Sequence, residues 1–356
     1  MSAATQPARG PDTLWERYRD NFSRHLIGVS RYLQTRMMHT LQQECGHGDL
    51  RLGFAPYITL LGENGRRLSE LAETLGISRQ ACNQAVKQVE AAGYIGRTPD
   101  PLDGRARQLV LTEHGRQLRR DGVRIVRELD ARFAALAGRE AVDDAARTLG
   151  ALYAHLGLGL GARDEPTLLY GGMGGLLPRL SDYTLHRLMT LTAGRGHPGL
   201  KLSFGQVLTL VGPAGGRIQQ IAAIQDVSKQ AISAIATELE ELGYLRREAD
   251  PADARQVLLL FTARGEELIA DSVASVGDLE AEFADIAGGG AFARTRTTLR
   301  TLYEQLCLER EVFDGEIEHS VSGDIDALAL ELQQRLGDEA SKALGRLLLN
   351  PGPNEV

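Results

Sequence analysis

A shift of 150 residues lays this 356-residue chain onto itself without a gap. Between 52–118 and 202–268, 23 of 67 positions are identical, and the matches gather at turns. They include Phe54/Phe204, Gly62/Gly212, Gly65/Gly215, Arg67/Arg217, Ala72/Ala222, Ser78/Ser228, Gln80/Gln230, Glu90/Glu240, Gly93-Tyr94/Gly243-Tyr244, Asp100/Asp250, Asp103/Asp253, Arg105/Arg255, Thr112/Thr262 and Gly115/Gly265. The register runs on through Val123/Val273, Phe133/Phe283, Leu149/Leu299 and Tyr153/Tyr303. Solenoid repeats have periods of roughly 20–50 residues, so a period of 150 means a duplicated domain. The join, "GLGLGARDEPTLLYGGMGGLLP" at 157–178, has the composition of a loose connector.

Within one copy, apolar residues at helical spacing from Leu14 to Gln43 predict one long amphipathic helix. A short helix near Pro56–Leu61 follows, and a second over Leu68–Leu75 with Ser69 or its neighbour as start signal. Gly76-Ile77-Ser78 predicts a tight turn with Ser78 as N-cap, and the next helix stops at Gly93. "YIGRT" and "ARQLVLT" alternate like two antiparallel strands around the turn "PDPLDG". Helices over Leu118–Leu136 and Val142–Leu156 complete the unit. The order is helix, helix, helix-turn-helix, hairpin, helix, helix, which is a winged helix with a helical platform.

The pieces "LSELAETLGISRQACNQAVKQVEAAGYI" and "DPLDGRARQLVLTEHG" resemble the MarR family of bacterial transcription regulators. The family's wing carries an Asp, an Arg two residues on and a closing "LT..G", matched here by Asp103, Arg105, Leu111-Thr112 and Gly115. The resemblance covers about 12–158 and 165–308 and leaves out 309–356. It implies a mainly α fold with small β-wings, built as tandem winged helix-turn-helix domains on a helical dimerisation platform. It also implies binding to double-stranded DNA, usually as a two-fold dimer. Fusion of two units departs from the family and reads as an intrachain pseudo-dimer. The expected division is unit 1 at 12–158, a linker at 159–178, unit 2 at 179–308 and a C-terminal helical extension at 309–356. Two apolar-periodic runs in that extension predict helices, either closing the platform or making further homodimer contacts.

Charge is unevenly spread. Residues 1–150 carry 22 Lys+Arg against 18 Asp+Glu, and the rest carry 18 against 29, so the net −7 conceals a basic first half. In that half the outward residues of the 79–91 helix are expected at DNA. Asn83 and Gln84, with Gln80, suit adenine, and Arg79 suits guanine. Ser78 at the helix start suits a phosphate, and Lys87 is expected on the same outward face. Arg66, Arg67, Arg97, Arg105 and Arg107 are expected at the backbone or in a minor groove. Asp103 and Arg105 are equally expected to brace the hairpin. In the second copy Asn83, Gln84, Lys87 and Gln88 become Ser233, Ala234, Thr237 and Glu238, and Arg107 becomes Val257. Ser228, Lys229, Gln230, Ser233, Arg246 and Arg255 are its expected contacts, and Glu238 would repel phosphate. The first copy is therefore the expected main base reader and the second a partly degenerate partner.

Expected effector-pocket residues, by resemblance, are the polar aromatics Tyr18, His25, Tyr32, Tyr183 and His186. Cys82 falls on a core face, where a buried thiol is a small apolar group. Three scattered cysteines form neither a disulfide framework nor a metal site. No transmembrane run, secretory leader, phosphate loop or catalytic constellation is legible, and no cofactor or metal is expected. The expected function is a cytoplasmic, sequence-specific transcription regulator that acts as a ligand-responsive repressor. The alternative is an interaction scaffold on the same fold that has lost specific DNA binding.

Overall fold

The structure is a computed structural model. It describes residues 11–62, 65–100, 107–159, 172–225, 227–250 and 253–309, with backbone alone at 11–13 and 253–255. These residues belong to one compact unit, Met1–Phe313. The expected extension from 310 onward lies outside them.

The first copy runs α1 (Pro11–Arg19), α2 (Phe22–Gln43), a 3-10 turn at Leu52–Phe54, α3 (Ala55–Leu61), β1 (Arg66–Arg67), α4 (Leu68–Leu75), α5 (Arg79–Ala91), β2 (Ile95–Pro99), β3 (Arg107–Leu111), α6 (Glu113–Ala137) and α7 (Arg139–His155). The second runs α8 (Leu177–Gly194), α9 (Leu202–Val211), β4 (Gly216–Arg217), α10 (Ile218–Ile224), α11 (Lys229–Glu241), β5 (Leu245–Asp250), β6 (Asp253–Phe261), α12 (Ala263–Ala287) and α13 (Gly289–Gln305). Mainly helical tandem winged-helix domains are what the sequence predicts. Each wing gains a third strand that the sequence reading lacks. The antiparallel order is β1-β3-β2, repeated as β4-β6-β5, with Arg66 opposite Leu109 and Gly216 opposite Leu259.

The long first helix is broken. Asn21 is extended and caps α2, accepting from the Arg24 N–H at 3.0 Å, while its Nδ2 donates to the Tyr18 carbonyl at 3.0 Å. An Asn side chain that satisfies both helix ends competes with continued helix, and apolar periodicity does not register that competition.

Three turn devices recur in both copies. Ser78 and Ser228 cap α5 and α11, each accepting from the third N–H onward at 3.1 Å. Thr112 and Thr262 cap α6 and α12 and donate to the Gly93 and Gly243 carbonyls at 2.6 Å. Gly115 and Gly265 then pass so close to the Gly-Tyr turn that a Cβ would sit 2.1 Å from the carbonyl oxygens of Tyr94 and Tyr244. The "GY…LT..G" signature is therefore the joint that locks the wing to the helix behind it.

The platform core joins Phe22, Leu26 and Leu33 of α2 to Leu149 and Leu152 of α7, Phe283 of α12, and Phe292, Leu299 and Leu302 of α13. The first winged helix shares that core through Cys82, Val86, Val89 and Leu109. The second has a core of its own, around Phe204, Val207, Ile221, Ile232, Leu239, Tyr244 and Leu259.

Pseudo-symmetry shows at two contacts. Arg294 on α13 donates from Nε to Asp144 Oδ2 on α7 at 2.7 Å, and the two positions are 150 apart. A position that meets its own counterpart lies at the two-fold axis. Asp130 and Glu280, also counterparts, each hold a backbone N–H of the opposite copy, before α8 and at the start of α2. Asp130 accepts from the Gly174 N–H at 2.8 Å and Glu280 from the Phe22 N–H at 3.2 Å. The segment "GGMGG", which composition reads as loose, is held from residue 172 onward. Met173 is fully buried, and Cβ atoms on Gly172 and Gly174 would meet the Asp130 carboxylate at 2.1 and 3.2 Å. Burial pushes Asp130 up to about 6, the Asp143 charge adds to that, and the Gly174 hydrogen bond opposes it.

Candidate nucleic-acid interface

Helix α5 has two faces. Cys82, Val86 and Val89 are buried, while Arg79, Gln80, Gln84, Lys87 and Gln88 are exposed and Asn83 is half-buried. Burial pushes the Cys82 thiol up, so it stays a neutral core group. Arg107, at the first position of β3, is exposed as well. Arg79, Lys87 and Arg107 make no ion pair among the described residues. Arg105 and Asp103 lie outside them.

Two of the arginines expected at phosphates are committed within the protein. Arg67 Nε donates to Asp100 Oδ2 at 2.5 Å, and Asp100 is only 7% exposed. This bond ties the Arg67 edge of β1 to the end of β2. Arg217 and Asp250 repeat it at 2.5 Å, with Asp250 4% exposed. Removing the arginine would strand a buried carboxylate, so the pair braces the wing. The sequence reading placed a brace at Asp103 and Arg105. The signal for this one was already in the repeat, because both of its residues are identical in both copies.

Arg97 is the second. It holds Glu90 through Nε at 2.8 Å and Nη2 at 2.9 Å, and Glu90 raises its pKa in return. Its Nη2 also donates to Asn83 Oδ1 at 3.2 Å. A guanidinium has only donors, so the Asn83 carbonyl must face it and the amide N–H groups remain for a ligand. Asn83 so held suits a lone acceptor, such as a purine N7, better than two-point pairing with adenine.

The second face has the same frame and other chemistry. Lys229, Gln230, Ala234 and Thr237 are exposed on α11 over buried Ile232, Ala236 and Leu239. Arg246 pairs with Glu248, and Lys201 with Glu238. The expected repulsion from Glu238 is therefore offset by Lys201. Arg247, the counterpart of Arg97, pairs with Glu240 at 3.2 Å and donates to the Ser233 carbonyl at 2.9 Å and Thr237 Oγ1 at 3.0 Å. Val227 and Val257 are exposed. A shallow groove of about 310 Å³ opens between Ile218, Gln219, Lys229, Gln230, Ser233, Gln256 and Val257. The side chain of Arg255 lies outside the described residues.

Behind each turn the sequence reading also missed a buried histidine. His47 Nε2 meets Asp121 Oδ2 at 3.3 Å, and His197 Nε2 meets Asp271 Oδ2 at 2.9 Å, with His197 Nδ1 3.2 Å from the Tyr244 hydroxyl. His114 stacks on Tyr94 at 4.6 Å, and its counterpart Arg264 lies over Tyr244 at 5.2 Å. Gly46-His47 matches Gly196-His197 just upstream of the stretch compared above, which is where the signal stood.

Each of the expected pocket residues has its own packing partners. His25 is buried, and burial lowers its pKa to about 4 despite Asp20 Oδ1 at 3.0 Å from Nε2. Tyr18 packs on Trp15 and under Arg24. Tyr32 lies beneath Arg132, Tyr183 packs on Phe283, and His186 is exposed. Among the described residues no helix is long and apolar enough to cross a membrane, and no group of three acidic, His or Cys residues is placed to hold a metal.

No curated protein sequence matches the chain. Similar solved structures include a MarR-family transcriptional regulator from Rhodococcus sp. RHA1, with 25% identity over 36% of this chain and 91% of that one and a TM-score of 0.29. A transcriptional regulator from Thermotoga maritima has 19% identity over 36% and 92%, with a TM-score of 0.30. CouR from Rhodococcus jostii RHA1, bound to p-coumaroyl-CoA, has 26% identity over 36% and 90%, with a TM-score of 0.29. The sequence profile of the MarR family matches twice, at 55–106 and 199–256, and each match spans the helix-turn-helix and the start of the wing. The chain is thus a two-unit MarR-like protein, with one MarR-family segment in each half.

Proposed function

We propose that the protein is a sequence-specific, DNA-binding transcription regulator in which covalent fusion replaces dimerisation. The observation that carries this is the outward face of α5. It presents Arg79, Gln84 and Lys87 to solvent beside Arg107, over a face fixed by Cys82, Val86 and Val89. Cations answer phosphates and amides answer base edges. A single helix touches few bases, and joining two raises the effective concentration of the second contact. The first copy is the main reader, because it holds three such cations where the second keeps one at the same positions, Lys229.

A response to a small ligand belongs to the same proposal. His25 Nδ1 and Tyr32 Oη are buried without a hydrogen-bond partner, which is a cost a polar ligand would relieve. CouR was solved with an aromatic CoA thioester, so that class is the first to try by ligand-induced shift in melting temperature. The DNA reading is tested by selecting genomic fragments on the intact chain and titrating one enriched fragment against salt. Enrichment of one motif, with affinity falling steeply as salt rises, is expected. No enrichment and no salt dependence would instead favour the scaffold reading.

A further inference from the structure

We infer that the chain lies on DNA in one fixed orientation, with the first copy over a half-site read through purine acceptors and phosphates and the second over a thymine-rich half-site read through methyl groups. This rests on the DNA-binding reading above and adds the chemistry of the second face to it.

That face is aliphatic where it would meet bases. Ala234 and Thr237 lie one turn apart on the exposed side of α11, in line with Gln230. The Thr237 hydroxyl is used twice inside the protein. It donates to the Ser233 carbonyl at 2.9 Å and accepts from Arg247 Nη2 at 3.0 Å. The methyl group is what Thr237 has left to offer. In the major groove the one apolar mark is the C5-methyl of thymine, and small aliphatic side chains are its complement. Gln230 remains exposed beside them and suits an adenine in the same half-site.

The cations differ as sharply. At positions that carry Arg79, Lys87 and Arg107 in the first copy, the second carries Lys229, Thr237 and Val257. Its other described cations near the face, Lys201, Arg217, Arg246 and Arg247, are each held by a carboxylate. Such a face makes fewer phosphate contacts and gains its specificity by shape and methyl contact. A homodimer cannot divide its faces in this way. Two unlike faces at fixed separation bind a non-palindromic site in one direction only.

The test is selection from a library with both half-sites randomised, followed by replacement of thymine with uracil, which lacks only the methyl. Two unlike halves are expected, one thymine-rich. Uracil in that half should weaken binding about three- to tenfold, the scale of one methyl contact, and uracil in the other half should not. Two like halves, or indifference to uracil in the thymine-rich half, would overturn the inference while leaving DNA binding intact. Failure to select any DNA would remove the reading beneath it. Thr237→Ser keeps the hydroxyl bonds and removes the methyl, so it should abolish uracil sensitivity at one step. Changing Thr237→Lys and Val257→Arg together should steepen the dependence of log affinity on log salt by about 2. An unchanged slope in that folded variant counts against the division of labour.

Discussion

Arg67–Asp100 and Arg217–Asp250 are the same bond at the same 2.5 Å, yet elsewhere on the same winged helices Lys87 has become Thr237 and Arg107 has become Val257. The two winged helices agree at the Ser and Thr caps, the Gly-Tyr turn and the Arg–Asp brace, and differ at most of the outward positions of α5 and α11. A buried carboxylate that needs its arginine, or a 2.1 Å glycine approach, has little room for substitution, and both copies keep it. An exposed helix face has no such internal constraint. In a homodimer, symmetry would still force the two faces to match, and fusion removes that force.

The largest expected effect breaks the comparison at the face. Arg79→Ala, Lys87→Ala and Arg107→Ala together should lower operator affinity about a thousandfold and flatten the salt slope by about 2 to 3. Lys229→Ala should cost less than tenfold. Fluorescence anisotropy on the selected operator measures both, and equal losses would mean that the two faces contribute alike.

The next effect sharpens it at the frame. Gly115→Ala and Gly265→Ala each force a Cβ against a carbonyl oxygen, and each should cost about 3 kcal/mol. The consequences should differ. The first winged helix shares the platform core, so Gly115→Ala should lower a single cooperative transition. The second has its own core, so Gly265→Ala should split off an early transition in calorimetry. One transition in both variants would show that the cores melt as one.

Much of the frame was legible because a duplicated sequence marks its own constraints. Gly115, Thr112, Ser78 and Tyr94 each stand twice, and each has a turn, cap or joint to explain it. Illegible features had no local signal. The break at Asn21 depends on a side chain that serves two helix ends at once. The Asp130 clamp on Gly174 reaches 44 residues along the chain into a glycine run whose composition suggests slack. For the candidate interface, the exposed positions of α5 follow from helical spacing, and the structure adds which are already engaged. Arg97 spends its donors on Glu90 and Asn83, and Thr237 spends its hydroxyl on Arg247, which spacing does not show.

The two clamps offer a smaller contrast, read through pH. The folded state raises Asp130 from its ordinary 3.8 to about 6 and so holds its proton more tightly than the unfolded chain. The proton-linked stability is full below about 4 and is lost as pH rises to about 6, by about 2 kcal/mol after allowance for partial solvation. Asp130→Asn keeps an acceptor for the Gly174 N–H and never ionises. It should match the parent at pH 4 and exceed it by that amount at pH 7, in urea unfolding followed by circular dichroism. Glu280→Gln instead breaks an ion pair with Arg296 at 3.3 Å and should lower the urea midpoint. A gain of equal size would mean that the two clamps share one electrostatic environment.

The smallest effect tests the axis itself. Asp144 and Arg294 occupy the one position that meets its own counterpart among the ion pairs described, and the fused chain has placed opposite charges there. A homodimer could place only like charges at that point. The pair is screened by solvent and so contributes little. Arg294→Asp should lower the urea midpoint slightly, since it both removes the pair and sets two carboxylates together. Adding Asp144→Arg restores an opposite pair with reversed polarity and should recover most of the loss in the urea midpoint. Recovery requires the two side chains to face each other, whichever copy carries which sign. Two independent losses that merely add would mean that the positions do not meet across the axis, and the reading of α7 and α13 as symmetry mates would fail with them.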